Sequence, residues 1–243
     1  MVAADNSPFH RCRDPAYGWA AMETLHIPVD ASSVSALLLA PPQAEACFVF
    51  AHGAGAGMTH RFMEAAAHGL AERRIATLRY QFPYMEKGSK RPDRPPVAHA
   101  TVRAAVAQAH KRFPRLPLIA GGKSFGGRMT SQAQALAPMA GVRGLAFFGF
   151  PLHAAGKPSD ERAAHLFDVA VPMLFLQGGN DKLAELRLLE PVIGKLGARA
   201  SLHVVEDADH SFHVPARSGR RDSEVLAELI EAFASWTAKL IAA

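Results

Sequence analysis

Apolar and polar positions along the chain follow two different periods. Short apolar stretches at 23–29 and 34–40, separated by the turn-like sequence DASS, predict two antiparallel strands near the start. From residue 45 onward, short runs of β-branched and aromatic residues alternate with longer alanine-rich stretches. This alternation predicts an α/β protein, in which crossover helices connect the strands of a parallel sheet.

The later strands and helices alternate regularly along the chain. Strands are predicted at 46–52, 75–81, 116–122, 142–150, 172–178 and 200–206. Helices are predicted at 60–73, 97–112, 125–137, 182–196 and 222–241. The 97–112 segment shows the helical period clearly, because Val102, Val106 and Ala109 fall on one side of it. The sequence KGSKRPDRPP predicts a loop, since its prolines and charges suit neither regular element.

Composition is typical of an ordinary globular protein. The chain has 243 residues, of which 49% are hydrophobic and 20% charged, so it can bury a core without disulfides or a structural metal. We predict a loosely ordered lead over 1–20, followed by a single domain over 21–243. Cys12 and Cys47 are interpreted as free thiols in a reducing compartment.

Targeting and partner signals are weak. The N-terminal stretch has no continuous apolar core of a signal peptide, and no later segment is apolar for long enough to span a bilayer. We therefore expect a cytoplasmic protein that does not bind a membrane. The formal charge of +5 is moderately basic, which does not by itself indicate nucleic-acid binding, and no nucleic-acid partner is expected.

The stretch AGGKSFGGRM at 120–129 carries the most informative motif. A phosphate-binding P-loop would need a glycine where the chain has Pro117, which offers no N–H. A dinucleotide fingerprint in the earlier HGAGAGM sequence fails because Met58 occupies the third glycine position. The pattern G-x-S-x-G is satisfied by 122–126, after a predicted strand and before a predicted helix. This context predicts a sharp turn that exposes Ser124 as a nucleophile, with helix capping as the alternative role.

The partners that a nucleophilic serine needs also occur in the sequence. A serine hydroxyl needs a base, and the base needs a carboxylate that fixes its tautomer. On a nucleophile elbow these partners follow the serine along the chain, each after a later strand. The sequence supplies Asp181 and then His210 at such positions. Four residues compete with them for the two roles, namely Asp207, Asp209, His203 and His213.

Backbone N–H groups for an oxyanion hole are predicted in two places. One is Ala54 in the loop after the 46–52 strand, with Gly55 as second choice, and the other is Phe125 directly after the serine. The helix that begins at Phe125 also directs its N-terminal dipole at the developing negative charge. No cofactor is expected, and the acidic and histidine residues at 207–213 lack the spacing of a zinc motif, so no metal is expected either.

Four stretches, FAHGAGAGM, GGKSFGGRM, FFGFPLH and LFLQGGND, resemble the α/β-hydrolase superfamily. More narrowly, they resemble its dienelactone-hydrolase-like branch, in particular small bacterial hydrolases similar to the hydrolase-like domain of a chromatin-complex regulatory subunit. The resemblance implies a mostly parallel eight-stranded sheet flanked by helices, with Ser124, Asp181 and His210 as catalytic residues. Dienelactone hydrolases usually carry cysteine at the nucleophile position, so the resemblance does not extend to lactone chemistry.

Several features bear on the substrate. Only the segment 151–171 lies between the sixth and seventh predicted strands, which leaves room for one short helix and no large cap domain, so an open site is expected. QFPYM at 81–85 lines an acyl pocket or packs under the long loop. Lys123 is interpreted as facing solvent or supporting the site from behind, with steering of a carboxylate as the alternative. Basic residues after three strands are either solvated loop charges or a ring that attracts an anionic substrate: His60, Arg61, Lys87, Lys90, Arg91, Arg94, Arg217, Arg220 and Arg221.

The sequence therefore predicts a serine hydrolase that cleaves a carboxylic ester or thioester of a small-molecule substrate through an acyl-enzyme. Two alternatives stay open. The same residues support acyl transfer to an acceptor other than water, and a hydrolase-shaped fold can serve as a non-catalytic interaction module. The intact set of triad residues favours an enzyme.

Overall fold

The computed structural model describes residues 21–242 of the chain, so the predicted lead over 1–20 lies outside the described residues. Eight strands form one sheet within this range: Ala21–Val29 (β1), Ser32–Ala40 (β2), Ala46–Ala51 (β3), Ile75–Tyr80 (β4), Leu118–Lys123 (β5), Val142–Phe148 (β6), Met173–Gly178 (β7) and Ala200–Val205 (β8). The α-helices of this range are Arg61–Ala71 (α1), Pro83–Glu86 (α2), Pro95–Arg112 (α3), Phe125–Leu136 (α4), Leu186–Leu196 (α5) and Asp222–Ala242 (α6). None of the helices within 21–242 is both long enough and apolar enough to cross a membrane.

The strand order across the sheet is β1-β2-β4-β3-β5-β6-β7-β8. Strand β2 pairs antiparallel with both β1 and β4, and the remaining neighbours pair in parallel. The predicted fold class, a mostly parallel eight-stranded sheet flanked by helices, is confirmed, as is its antiparallel start. Because β3 to β8 run in parallel, their carboxyl ends meet at one edge of the sheet, where ligands bind in such folds.

Helices cover both faces of the sheet, which explains why β3 is apolar and buried at every position. In β3 the side chains alternate, so that Cys47 and Val49 point into the core with α3, α4 and α5, and Phe48 and Phe50 point into the core with α1 and α6. The Phe48 ring packs 4.7 Å from the ring of Phe233 in α6. Burial raises the pKa of the Cys47 thiol to about 12, so this free cysteine behaves as a packing residue.

Two local features differ from the predictions, and a third, the short helix without a cap domain between β6 and β7, agrees with them. The QFPYM stretch contributes to the short helix α2, which begins at Pro83 and for which the sequence predicted no helix. Helix α5 begins at Leu186 and not at residue 182, because the preceding residues form a loop in which Asp181 accepts a hydrogen bond from the Leu183 N–H at 2.7 Å. The segment 151–171 contains a 3₁₀ helix over Glu161–Asp168 and no separate cap domain.

Two glycines of the G-x-S-x-G motif let the turn after β5 approach β3 closely. A Cβ on Gly122 would overlap the carbonyl oxygen of Ala51. A Cβ on Gly126 would lie 2.6 Å from the carbonyl oxygen of His52, well inside van der Waals contact. Backbone atoms cannot move aside as a flexible side chain can, so these positions require glycine, and the turn is pressed against the end of β3.

The close approach predicts opposite effects for two helical glycines. Gly126→Ala in α4 forces its Cβ against the backbone of β3, and we expect a loss of about 1–3 kcal/mol in the free energy of unfolding. Gly194→Ala in α5 is the matched control, because its Cβ meets nothing within 4 Å, and we expect a gain of about 0.5–1 kcal/mol. Urea unfolding measures both changes, and equal effects at the two sites would contradict the packing argument.

Candidate active site

The turn at Ser124 is strained. Its φ of 49° and ψ of −115° place a non-glycine residue in a region that L-amino acids avoid. A hydrogen bond beyond the end of β5 holds the turn against β6: the Ser124 N–H donates to the Phe148 carbonyl at 3.1 Å. Its hydroxyl makes no capping bond to α4, so the capping alternative is wrong. Backbone strain of this kind is typical of functional sites, so it favours a functional role for Ser124.

Three side chains from three strand ends form a continuous chain of hydrogen bonds. Ser124 follows β5, Asp181 follows β7 and His210 follows β8. The Nε2 atom of His210 lies 2.7 Å from the Ser124 Oγ, and its Nδ1 lies 2.6 Å from the Asp181 Oδ2. A carboxylate only accepts, so Nδ1 carries the proton and Nε2 is free to accept from the serine hydroxyl.

The competing residues lie elsewhere. His203 bonds Glu228 of α6 at 2.8 Å, and the exposed His213 bonds Asp222 at 3.0 Å. Asp209 accepts from the N–H groups of Ser211 and His213, which closes the loop that carries His210. The structure therefore brings together the three residues that the sequence favoured, whereas His203, His213 and Asp209 bond to other partners.

A second serine–histidine pair exists but lacks the same setting. The Ser131 Oγ lies 2.7 Å from Nε2 of His165, and it also donates to the Arg128 carbonyl at 3.0 Å. Ser131 is fully buried within α4. Burial and the neighbouring Arg128 lower the pKa of His165 to about 4. A buried hydroxyl beside so weak a base is not placed to attack a substrate.

Asp181 is held in a closed hydrogen-bonding network. Its carboxylate has no exposed surface and accepts from the Leu183 N–H, from His210 and from the side-chain amide of Gln177. The Oε1 of Gln177 accepts in turn from the Phe150 N–H at 2.9 Å, which fixes the orientation of the amide. Sequence reasoning missed Gln177; the signal was a lone polar residue within the buried run of β7.

The loop after β3 lies against the serine turn. A Cβ on Gly53 would be 3.8 Å from the Cβ of Ser124. The Gly55 N–H donates to the Tyr84 hydroxyl at 3.1 Å, whereas the N–H groups of Ala54 and Phe125 have no acceptor among the described residues. This leaves the first-choice donor, Ala54, available for an oxyanion, and its role stays a prediction.

His52 connects this loop to the end of β4. Its ring is fully buried, with Nε2 accepting from the Phe82 N–H at 3.1 Å and Nδ1 donating to the Gly53 carbonyl at 2.8 Å. Burial lowers the pKa of His52 to about 4, so the ring is neutral at physiological pH. The QFPYM stretch supports the same loop through Gln81, which accepts from the Met58 N–H at 2.8 Å.

Lys123 does not face solvent as the first interpretation held. Its ammonium donates to the backbone carbonyl of His210 and lies 5.0 Å from the centre of the Phe212 ring and 5.9 Å from that of Phe62. The side chain therefore contacts the backbone of the loop that carries His210. This agrees with the other possibility that the sequence left open, in which Lys123 supports the site. A cation over two neighbouring aromatic rings is a favourable arrangement.

An eight-stranded sheet of this order, with a serine on a tight turn after the fifth strand, defines the α/β-hydrolase fold. Residues 44–238 match the family model described as an alpha/beta hydrolase domain. The chain therefore belongs to the α/β-hydrolase family, and the resemblance seen in the sequence is confirmed.

Solved structures share this fold at low sequence identity. A dienelactone hydrolase from Anabaena variabilis is 20% identical with a TM-score of 0.74, over 90% of this chain and 97% of that one. A lidless α/β serine hydrolase from Xanthomonas campestris is 19% identical with a TM-score of 0.69, over 88% and 94%. Est1E from Butyrivibrio proteoclasticus, solved with ferulic acid bound, is 17% identical with a TM-score of 0.71, over 90% and 100%.

The network around Asp181 predicts a measurable cost for losing Gln177. Gln177→Leu leaves the buried Phe150 N–H without an acceptor and removes one donor to the carboxylate. We expect the free energy of unfolding to fall by about 1–3 kcal/mol in urea titrations. Gln43→Leu is the matched control, because Gln43 is exposed and should change stability by less than about 0.5 kcal/mol. Similar values for both variants would contradict the network.

Proposed function

We propose that this protein is a serine hydrolase that cleaves a carboxylic ester or thioester through an acyl-enzyme. The observation that carries the proposal is the unbroken chain of hydrogen bonds from the Ser124 hydroxyl through His210 to the buried Asp181. It occurs on a strained turn at the sheet edge where such folds bind ligands. Each residue supplies something that the others lack: a nucleophile, a proton acceptor and a carboxylate that orients this acceptor.

The reaction follows from these positions. The Ser124 Oγ attacks the acyl carbon while His210 Nε2 takes its proton, and the carbonyl oxygen becomes an oxyanion held by the N–H groups of Ala54 and Phe125. Collapse of this intermediate breaks the bond to the leaving group, which receives the proton from His210. Water then enters, loses a proton to the same imidazole and attacks the acyl-enzyme. The carboxylic acid is released and the serine regains its proton.

Asp181 stabilises the imidazolium that forms in each half of the reaction. Three donors satisfy the carboxylate, whose side chain has no exposed surface. It also keeps the proton on Nδ1, so that Nε2 always faces the serine. Each oxyanion donor is worth roughly 3 kcal/mol of transition-state stabilisation.

The surroundings of the serine favour an accessible substrate site. The segment between β6 and β7 forms only a 3₁₀ helix and loops, and Ser124 and His210 both retain exposed surface. The lidless hydrolase from Xanthomonas campestris and the ferulic-acid complex of Est1E are consistent with an open site that takes a small acyl group. We therefore propose a small-molecule acyl substrate.

Labelling with a fluorophosphonate probe tests the nucleophile. We expect the wild-type protein to be labelled and Ser124→Ala to be unlabelled, because the probe needs an activated serine. Hydrolysis of 4-nitrophenyl acetate should fall by about four orders of magnitude or more in Ser124→Ala and in His210→Ala. The rate should fall by about 10⁴-fold in Asp181→Asn, because the asparagine amide favours the tautomer of His210 that cannot accept the serine proton.

Ser131→Ala is the matched control for this test, since it removes the hydroxyl of the second serine–histidine pair. It should retain labelling. An unlabelled, folded wild-type protein would contradict the proposal and favour the non-catalytic interaction module. Labelling that survives Ser124→Ala and disappears in Ser131→Ala would show that Ser131 is the nucleophile and would contradict the proposal. Acyl transfer would appear as an ester product when an alcohol acceptor is added.

The basic residues near the sheet edge predict a preference for anionic substrates. Arg220 and Arg221 pair with Glu228 and Glu224, whereas Lys87 and Arg94 are exposed and form no ion pair within 21–242. We expect kcat/KM for a carboxylate-bearing 4-nitrophenyl ester, relative to a neutral ester of equal length, to fall severalfold when salt rises to about 1 M. A ratio that does not change with salt would remove this preference.

A further inference from the structure

The ammonium of Lys123 lies directly behind the imidazole of His210. Lys123 is the last residue of β5 and directly precedes the serine. Its Nζ donates to the backbone carbonyl of His210. One hydrogen bond thus connects the strand that carries the nucleophile with the loop that carries the base.

Gly149, directly after β6, makes room for this contact. It has a φ of 71°, and a Cβ built on it would lie 3.1 Å from the Lys123 Nζ and 3.4 Å from the Cε1 of His210. The ammonium and the imidazole therefore lie against the same point of the backbone. A Cβ at this position would make close contacts with both groups, and the positive φ by itself favours glycine.

The loop that carries His210 is under backbone strain. Asp207 and Phe212 have φ values of 60° and 66°, which side-chain-bearing residues rarely adopt. Strained conformations persist only where the surroundings hold them. Here the Phe212 ring is buried and stacks on Phe62 at 5.9 Å, and the cation of Lys123 lies over both rings.

Two carboxylates face the ammonium from neighbouring elements. Asp181 comes from the loop after β7 and Asp209 from the loop after β8, and both favour the charged amine. Helix α1 contributes the uncharged ring of Phe62 to the contact. Removal from water is the larger influence and lowers the pKa of Lys123 to about 8. The amine is thus mostly charged at neutral pH and loses its proton within the accessible pH range.

We propose that Lys123 is a positioning residue whose charged ammonium holds the His210 carbonyl, so that the imidazole spans Ser124 and Asp181, and that activity falls when this charge is lost. The inference rests on the proposed function of the triad. A charged donor forms a hydrogen bond about twice as strong as a neutral one. Deprotonation of Lys123 therefore loosens the loop that carries the base.

The proposal predicts how the rate of fluorophosphonate labelling depends on pH. The ammonium is present below its pKa and is lost as pH rises, so the second-order rate of fluorophosphonate labelling should decline as pH rises through about 8. In Lys123→Met we expect labelling at neutral pH to slow by at least tenfold and up to about 100-fold. The decline near pH 8 should be missing from the profile of this variant, which a merely structural loss would not remove.

Asp209→Asn tests the charge without removing the lysine. Asparagine keeps the Oδ1 that accepts from Ser211 and His213 and loses the negative charge that favours the ammonium. We expect the alkaline decline to move to lower pH in this variant and to be absent when Asp209→Asn is combined with Lys123→Met. Lys182→Met is the matched control, because this lysine is exposed beside Asp181 and should leave the profile unchanged.

The outcomes separate this inference from the proposed function. An unlabelled wild-type protein overturns both. A labelled wild type whose rate and pH profile are reproduced by Lys123→Met overturns the role of Lys123 alone. If Lys123→Met does not fold, Asp209→Asn provides the test. A labelling rate that declines at lower pH than in the wild type supports the inference, and a decline at the same pH overturns it.

Discussion

The hydrogen bond between His210 and Ser124 is the contact on which the rest of the site depends, and it exists because parallel strands end at a common edge. Strands β5, β7 and β8 contribute the serine, the carboxylate and the imidazole from positions far apart along the chain. Each strand end is fixed by pairing with its neighbours, so the three side chains arrive without a dedicated scaffold. The serine that makes this bond lies on a strained turn, with a φ of 49°.

Behind these three residues lies a layer of buried polar groups, each with a defined partner. Gln177 holds Asp181, His52 holds the loop after β3, and Lys123 holds the loop after β8. Such groups are costly to bury unless they are hydrogen-bonded, and a satisfied network resists rearrangement more than an apolar contact does. The network confines the freedom of Asp181 and of the loops beside Ser124, while Ser124 and His210 retain exposed surface.

Much of the fold was predictable because local sequence patterns indicate most of its strands and helices. The buried run of β3 and the two apolar stretches of β1 and β2 were found to within a residue or two, since strand propensity and burial agree there. Helix α5 was misjudged at its start because the residues after Asp181 have a helical composition but are held in a loop by its carboxylate. The short helix α2 was missed because one turn after a proline carries no period.

The sequence by itself determined the class of the fold and a short set of candidate site residues, because glycine spacing and the order serine, aspartate, histidine are local and sequential properties. Only the tertiary structure decided between Asp181 and Asp209, between His210 and His213, and between a solvated and an enclosed Lys123. Those choices depend on which groups lie within hydrogen-bonding distance across the sheet edge. Such distances arise from the packing of strands and loops that are remote in sequence, and no pattern along the chain encodes them.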